Sequence, residues 1–310
     1  PGVAEAIGSD LRTNDALFSA LRIMFPGIDT STITEELRDR LTEELDYELE
    51  AQNQQYFAEH FEGHPYIHVP KVLPDYSTSR VLTTELAVGA TFSEVLEWSQ
   101  AERNLAAETL FRFSFGSIYR LAAFNGDPHP GNYLFHEGGR ITFLDFGLVK
   151  HFSHEDTALF ASLITNMVVK RDVKAFRRDI EAAGLLQPGA PFSDQSVGEY
   201  FEYFYDFVLE DREFTFTDEY SAAGVRAIFE TGGDHGELKK VLNVPASFVV
   251  LQRINLGLIS LFGQLGSTAN WRRIAEELWP FVEAGPSTEM GREIERWGRA
   301  SHKRRQFEGL

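Results

Sequence analysis

The chain has 310 residues, 43% of them hydrophobic and 25% charged, so it can bury a large core as one bilobal unit or as two domains. It contains no cysteine, which excludes disulfides and thiolate-ligated zinc or iron–sulfur sites. The net charge of −18 argues against nucleic acid or an anionic bilayer as a partner of the whole surface, and no run of about eighteen apolar residues predicts a membrane span.

The N-terminal part of the chain has the pattern of two helices. Pro1–Pro26 carries apolar residues on one helical face, and from about Ser31 to Phe61 apolar residues recur every four positions. Asp46 and Glu50 are four residues apart and share a face, whereas Glu44 lies about 200° round from Asp46. The second helix therefore presents carboxylates in two directions; an ordinary solvated acidic face is the alternative.

The next segments change from strand to helix patterns. Tyr66–Val69 and Arg80–Leu86 are β-branched or aromatic runs bounded by proline, serine and threonine, which predicts two strands. Thr91–Trp98 and Ala101–Phe124 are predicted to be helices. The second is apolar around much of its surface, which is typical of a buried helix.

Two short motifs follow that helix. The first is Gly-Asp-Pro-His-Pro-Gly-Asn at positions 126–132, and the second is Asp-Phe-Gly at positions 145–147. Between them, Tyr133–Phe135 and Ile141–Leu144 are predicted strands joined by a glycine-containing turn. We expect this hairpin to bring Asn132 beside Asp145.

This spacing favours Mg²⁺-dependent phosphoryl transfer. The phosphates of ATP need metal ions to neutralise the charge that develops in the transition state, and Mg²⁺ takes oxygen ligands. In a kinase-type site, Asp127 would orient or deprotonate the nucleophile, and Asn132 and Asp145 would hold Mg²⁺. A chance Asp-Phe-Gly in a helical protein is the alternative, but the preceding Asp-x4-Asn and the predicted hairpin argue against it.

The remaining chain is predicted to be helical. Ser153 is a good N-cap, and only five residues separate it from Asp-Phe-Gly, too few for the long activation segment that docks a peptide. Helical patterns interrupted by glycine and proline run from Asp172 to Leu310. We interpret the aromatic residues between Tyr200 and Phe207 as core packing rather than as a lipid groove.

At these residues the chain resembles the UbiB/AarF family of atypical kinases, called ADCK in animals. The specific match is the Gly-Asp-Pro-His-Pro-Gly-Asn loop, where ordinary protein kinases carry His-Arg-Asp. Positions 44–53, Val69–Val72 and the hinge-like Val81–Leu86 match as well. The resemblance implies an α+β, mostly α, protein-kinase-like bilobal fold. Residues 1–86 would form a partial N-lobe and residues 87–310 a helical C-lobe.

The resemblance also implies roles for residues outside the two motifs. Glu50 would pair with the family's ATP-binding lysine, and Glu44 with Asp46 would meet its Lys-x-Gly-Gln segment. Backbone groups near Glu85 and Leu86 would meet the adenine. Because the chain opens at Pro1-Gly2-Val3, we expect it to be cut from a longer protein, with the lysine and the Lys-x-Gly-Gln segment upstream.

The function implied by the family is an ATPase or kinase that uses ATP and Mg²⁺. Its partners would be an isoprenoid or quinone-type lipid of ubiquinone metabolism, or lipid-biosynthetic proteins, in the cytoplasm. The alternative is a nucleotide-sensing pseudokinase scaffold that phosphorylates nothing. The basic cluster within Arg296–Arg305 is most simply a solvated terminus, and peripheral contact with a lipid surface is the other interpretation.

Overall fold

A computed structural model describes residues 46–229, 238, 242 and 246–308. Over these residues the fold is α+β and rich in helix, as predicted, with one three-stranded sheet of order β1-β4-β3 and two two-stranded ribbons. The helices are α1 (Tyr47–His60), α2 (Phe92–Val95), α3 (Gln100–Leu121), α4 (His154–Ile164), α5 (Val173–Ala182), α6 (Asp194–Glu202), α7 (Asp206–Leu209), α8 (Asp218–Phe229), α9 (Ala246–Leu265), α10 (Trp271–Glu276) and α11 (Glu289–Glu308). The strands are β1 (Ile67–His68), β2 (Ala123–Asn125), β3 (Tyr133–Phe135), β4 (Ile141–Phe143), β5 (Val149–His151), β6 (Phe214–Thr215) and β7 (Thr268–Ala269).

Helix α1 confirms the C-terminal part of the predicted second helix. Asp46 caps it, because its Oδ1 accepts the backbone N–H groups of Glu48 and Leu49, both at 3.1 Å. The helix packs into the core through Phe57, whose ring centroid lies 5.0 Å from that of Phe146. The predicted helix over residues 1–26, the first part of the second helix and Glu44 lie outside the described residues.

Only one of the two predicted early strands forms. Ile67 and His68 of β1 pair in parallel with Ile141 and Thr142 of β4. The prediction of a strand over Arg80–Leu86 is wrong: this run makes only isolated bridges, Thr78 to Val81 and Val72 to Thr84. The run folds back on itself at the first bridge, so no continuous partner strand lies beside it, and Val81 remains 53% exposed.

The buried helix α3 ends earlier than predicted. Ser99 caps its start through Oγ, and Ala122 ends it in the left-handed conformation with φ 47°. The last predicted helical residues instead belong to β2, which pairs antiparallel with β5. An apolar run is compatible with a buried helix or a buried strand, so the pattern alone could not find this boundary.

The predicted hairpin is confirmed. Strands β3 and β4 pair antiparallel, with Tyr133 opposite Phe143 and Phe135 opposite Ile141. Gly138 and Gly139 make the turn with φ values of 77° and 79°, a conformation that favours glycine. Phe143 stacks on Phe113 of α3, which fixes the hairpin against the buried helix.

The predicted N-cap at Ser153 is also confirmed. Its Oγ accepts the N–H of Asp156 at 3.0 Å, and Asp156 Oδ2 accepts the N–H of Ser153 at 3.0 Å, a capping box at the start of α4. In the five-residue segment between Asp-Phe-Gly and Ser153, Val149–His151 forms β5 rather than an irregular loop. A five-residue π-helical segment, Thr165–Val169, extends α4.

From Asp172 onwards the described residues are mainly helical, as predicted. The exception is the ribbon of β6 and β7, in which Phe214 pairs with Ala269. Trp271 is fully buried beneath this ribbon, and its indole N–H donates to the carbonyl of Phe214 at 2.9 Å. No helix in the described part of the chain is both long enough and apolar enough to cross a membrane.

Candidate active site

The loop between β2 and β3 holds Asp127 and Asn132 together. Asn132 Nδ2 donates to Asp127 Oδ2 at 2.9 Å and to the Asp127 carbonyl at 3.3 Å. His129 Nδ1 accepts the N–H of Gly131 at 3.1 Å, and its carbonyl accepts the N–H of Asn132 at 3.0 Å. His129 thus shapes the turn that presents the Asn132 amide to the Asp127 carboxylate.

Backbone contacts tie the second motif to this loop. The N–H of Leu144 donates to the Asn132 carbonyl at 3.0 Å, which extends the β3–β4 pairing toward Asp145. Asn125 Nδ2 donates to the Asp145 carbonyl at 2.6 Å. Asp145 Oδ1 accepts the N–H of Gly147 at 2.9 Å. One oxygen of this carboxylate therefore closes the turn, and the other oxygen is not used in it.

The negative charges of Asp127 and Asp145 both act on the buried phenol of Tyr133. Tyr133 is buried. Burial raises the pKa of its phenol, and the negative charges of Asp127 and Asp145 raise it further. Both carboxylates are therefore close enough to act on the same buried group.

Glu50 approaches the same motif from α1. Burial raises the pKa of its carboxyl group, the Asp145 carboxylate raises it further, and a backbone hydrogen bond from Phe146 opposes the shift. A Cβ on Gly147 would lie 3.8 Å from Glu50 Cδ. The structure therefore places Glu50 near Asp145 and Gly147, and it holds Asn132 against Asp127 in the loop that precedes the hairpin.

The other predicted site residues lie elsewhere or outside the description. The Asp46 carboxylate is used by the α1 N-cap. Glu85 Oε2 accepts the N–H of Lys71 at 3.0 Å, and Leu86 is 92% exposed. Glu44 is not among the described residues. Adenine contact near Glu85 and Leu86, and contact of Glu44 and Asp46 with a Lys-x-Gly-Gln segment, remain predictions.

Asn53 is a site residue to which the sequence pattern assigned no role. It lies one turn after Glu50 on α1 and is 6% exposed. Its Nδ2 donates to the Phe146 carbonyl at 3.2 Å, and its Oδ1 lies 3.2 Å from His151 Nε2. The available signal was its spacing, because Glu50, Asn53 and Phe57 share one helical face.

Glycines allow the backbones around the loop to approach closely. The N–H of Gly126 donates to the Leu148 carbonyl, and a Cβ on Gly126 would overlap that carbonyl oxygen. A Cβ on Gly257 of α9 would likewise overlap the ring of Pro128. Helix α9 therefore packs directly on the residue that follows Asp127.

The donor set fits Mg²⁺. The described residues contain no cluster of three or more His, Cys, Asp or Glu side chains able to hold a metal. Asn132 uses its Nδ2 toward Asp127, which leaves the amide oxygen available, and Asp145 keeps one carboxylate oxygen. Because Mg²⁺ accepts few protein oxygens and completes its shell with water and phosphate, two oxygens such as those of Asn132 and Asp145 would be enough protein ligands.

Several known proteins are similar to this chain in sequence. The ABC1 atypical kinase-like domain matches residues 1–180. An uncharacterised chloroplast aarF domain-containing protein kinase of Arabidopsis thaliana is 31% identical over 270 residues, covering 83% of this chain and 36% of the relative. The mitochondrial atypical kinase COQ8 of Saccharomyces cerevisiae is 23% identical over 291 residues, covering 91% of this chain and 56% of that protein.

A solved structure extends the comparison to the fold. The complex of Rv3197 with erythromycin, from Mycobacterium tuberculosis, has a TM-score of 0.71 and 26% identity, covering 92% of this chain and 71% of Rv3197. The chain spans only about a third of the Arabidopsis kinase. Together with the 1–180 match, these relationships show that the chain belongs to the ABC1 atypical kinase-like family, also known as UbiB/AarF.

Proposed function

We propose that this chain carries the metal-binding part of an ATP site and serves Mg²⁺-dependent ATP hydrolysis or phosphoryl transfer. The observation that supports this most strongly is the hydrogen bond of Asn132 to Asp127, 2.9 Å long, on a hairpin that continues to Asp145. Two carboxylates and an amide oxygen, all from one short stretch of chain, form the donor set that phosphate-bound Mg²⁺ needs.

Each residue has a distinct role in this proposal. Asn132 and Asp145 would hold Mg²⁺, which when bound neutralises charge on the phosphates. Asp127 accepts a proton from, or orients, the attacking hydroxyl or water, and the Asn132 amide keeps its carboxylate in place. Glu50 lies behind Asp145, where it would meet the lysine expected from the family resemblance.

The segment after Asp-Phe-Gly supports an acceptor other than a peptide. A peptide kinase needs a long activation segment on which the substrate docks. Here β5 occupies that position and pairs with β2 over three residues, from Ala123 with His151 to Asn125 with Val149. The backbone N–H and C=O groups of β5 therefore bond within the fold, to β2.

The finer assignment rests on the family. We extend the proposal to ubiquinone or other isoprenoid-lipid metabolism, with a lipid or lipid-biosynthetic proteins as partners. The bilobal arrangement, with a boundary near residues 86 and 87, belongs to the same proposal. Glu85 and Leu86 would then lie where the adenine enters.

The decisive experiment compares ATP hydrolysis by wild type and Asp145→Asn in a protein that contains the whole chain. We expect the substitution to reduce turnover by roughly 10²-fold or more and to weaken the Mg²⁺ dependence, because one metal ligand loses its charge. Asp75→Asn, outside the described site, is the matched control. Unchanged turnover in Asp145→Asn would show that the metal assignment is wrong.

A nucleotide-sensing pseudokinase scaffold is the second candidate, and the surroundings of Glu50 favour it. Among the described residues, the charge that most affects the Glu50 pKa is the Asp145 carboxylate rather than a cation. Two facing acids are suited to binding a metal-bound nucleotide, which by itself requires no turnover. Radiolabelled ATP separates the candidates: tight Mg-ATP binding with no turnover supports the scaffold.

A further inference from the structure

Asn125 joins the two motifs of the candidate site through one side chain. It is the last residue of β2, two positions before Asp127, and its Nδ2 donates to the Asp145 carbonyl at 2.6 Å. At the other end of the same amide, Oδ1 accepts the N–H of Asp127 in a long contact of 3.5 Å. Asn125 therefore contacts the backbone of both acids.

These two contacts require a particular kind of side chain. A carbonyl oxygen only accepts hydrogen bonds and a backbone N–H only donates them, so the group between Asp145 and Asp127 must offer a donor at one end and an acceptor at the other. The amide of asparagine does this over a short side chain. Leucine has nearly the same shape and offers neither group.

Strand β2 holds Asn125 in a fixed place. All three residues of the strand pair with β5, and Asn125 lies opposite Val149. The two residues before it, Ala123 and Phe124, are fully buried, and the Phe124 ring lies 6.2 Å from that of Phe115 on α3. A side chain on such a constrained strand can fix the backbone that it contacts.

The backbone held by Asn125 belongs to a proposed metal ligand. The residue before Asp145, Leu144, donates its N–H to the Asn132 carbonyl at 3.0 Å. Asp145 is thus tied to the catalytic loop at two points, through Leu144 to Asn132 and through its own carbonyl to Asn125. Mg²⁺ requires near-octahedral oxygen ligands at about 2.0–2.1 Å, so a small shift between its ligands weakens binding.

We propose that Asn125 is a positioning residue that holds the Asp145 carboxylate at the distance from Asn132 that a shared Mg²⁺ requires. The residue acts through the Asp145 backbone and is not itself a metal ligand. This role rests on the proposed function, because it requires Asn132 and Asp145 to bind the metal.

Calorimetric titration with a non-hydrolysable ATP analogue, loaded with Mg²⁺ or free of metal, tests this role. The protein contains the whole chain. We expect Asn125→Leu to lower the affinity for the Mg²⁺-loaded analogue roughly tenfold or more, the usual effect of replacing a residue that orients a metal ligand. Its affinity for the metal-free analogue should stay unchanged, whereas general damage to the fold would weaken both.

Two further variants identify the hydrogen bond as the cause. Asn125→His should recover most of the lost affinity, because the Nδ1–H of histidine lies as many bonds from Cα as the Nδ2–H of asparagine. Gln100→Leu is the matched control: it also removes an amide that donates to a backbone carbonyl, that of Gly266 at 2.9 Å, but at the other end of α3 from β2. This control should bind both forms of the analogue as wild type does.

The possible outcomes separate this role from the proposed function. If Asn125→Leu does not fold by circular dichroism, Asn125→Ala takes its place. Wild-type affinity for the Mg²⁺-loaded analogue in the folded variant, an equal loss for both forms, or no recovery in Asn125→His would overturn the positioning role and leave the proposed function intact. If wild type bound the analogue no more tightly with Mg²⁺ than without it and hydrolysed no ATP, the proposed function would fail, and the positioning role with it.

Discussion

The side-chain amide of Asn53 donates to the carbonyl of Phe146 at 3.2 Å, across 93 positions of sequence. The other end of the same amide lies 3.2 Å from His151 Nε2. Asn53 thus links α1, the Asp-Phe-Gly motif and β5 through one buried group. Because α1 also carries Glu50, this bridge joins the helix of that carboxylate to the Asp-Phe-Gly motif.

Replacement of Asn53 by leucine should impair both stability and function. The Phe146 carbonyl would lose its donor, at a cost of about 1–3 kcal/mol in the free energy of unfolding. ATP turnover should fall ten- to about a hundredfold through misplacement of Asp145. Denaturant unfolding and steady-state turnover measure the two effects. Gln52→Leu, at an exposed position of the same helix, is the control; equal turnover in the two variants would contradict the bridge.

Replacement of Asn132 by aspartate should lower the stability of the protein when Mg²⁺ is absent. It puts a carboxylate in place of the amide that donates to Asp127 Oδ2, so a hydrogen bond becomes a like-charge contact. Both positions are partly exposed, and we expect a loss of about 1 kcal/mol without metal.

The measurement is the thermal midpoint with and without millimolar Mg²⁺. Added Mg²⁺ should raise the midpoint of Asn132→Asp more than that of wild type, because the cation screens the new carboxylate pair. Asn132→Ala removes the amide without adding charge and provides the control. If Mg²⁺ shifted all three proteins equally, the two acids would not share a cation site.

Gly257→Ala should disturb the loop that carries Asp127, because Gly257 of α9 packs against Pro128. Alanine normally stabilises a helix interior by about 1 kcal/mol relative to glycine. At Gly257 the added methyl overlaps the Pro128 ring, so either α9 or the loop after Asp127 must move. We expect turnover to fall at least about tenfold.

Gly298→Ala on α11 is the matched control, since no group of the described residues, apart from the local backbone of α11, lies within 4 Å of a Cβ there. This control should be slightly more stable than wild type and equally active. The measurements are ATP turnover and denaturant unfolding of both variants. Normal turnover in Gly257→Ala would mean that the catalytic loop tolerates displacement of Pro128.

A buried ion pair between α3 and the C-terminal region should make stability depend on pH. Arg112 Nη2 lies 2.6 Å from Glu277 Oε2, and their side chains are only 3% and 5% exposed. Burial alone would raise the pKa of Glu277, but the positive charge of Arg112 and hydrogen bonds from Thr288, Arg112 and Ser287 outweigh it, so the pKa is lowered from 4.5.

The lowered pKa fixes the direction of the effect. A depressed folded-state pKa contributes stability that is fully present above the unfolded value of 4.5 and is lost as the pH falls through the folded value. We expect Glu277→Gln to cost about 3 kcal/mol at pH 7 and progressively less below pH 4.5. Chemical denaturation across this range measures the difference.

Glu295→Gln tests whether the effect requires burial. Glu295 pairs with Arg299 on an exposed face of α11, where an ion pair contributes little. The free energy of unfolding of Glu295→Gln should equal that of wild type at every pH. A gap between Glu277→Gln and wild type that stayed constant with pH would contradict titration of Glu277.

Features encoded by neighbouring residues could be predicted from the sequence. The β3–β4 hairpin and the Ser153 cap depend on turn residues, strand alternation and a local capping pattern. Their determinants are local, because the interacting groups are adjacent or nearly adjacent in the chain. The α+β class followed from the same patterns.

Features that depend on distant surfaces could not be predicted. An apolar or β-branched run is equally compatible with several neighbours, so Arg80–Leu86 was assigned a continuous strand although it makes only isolated bridges, and Phe124 was assigned to helix rather than to β2. The Asn53 bridge arises where α1 meets the Asp-Phe-Gly turn and β5. The sequence by itself determined the acids and amide suited to phosphoryl transfer, while tertiary packing decided which distant groups hold them, because contacts across many positions leave no periodic signal.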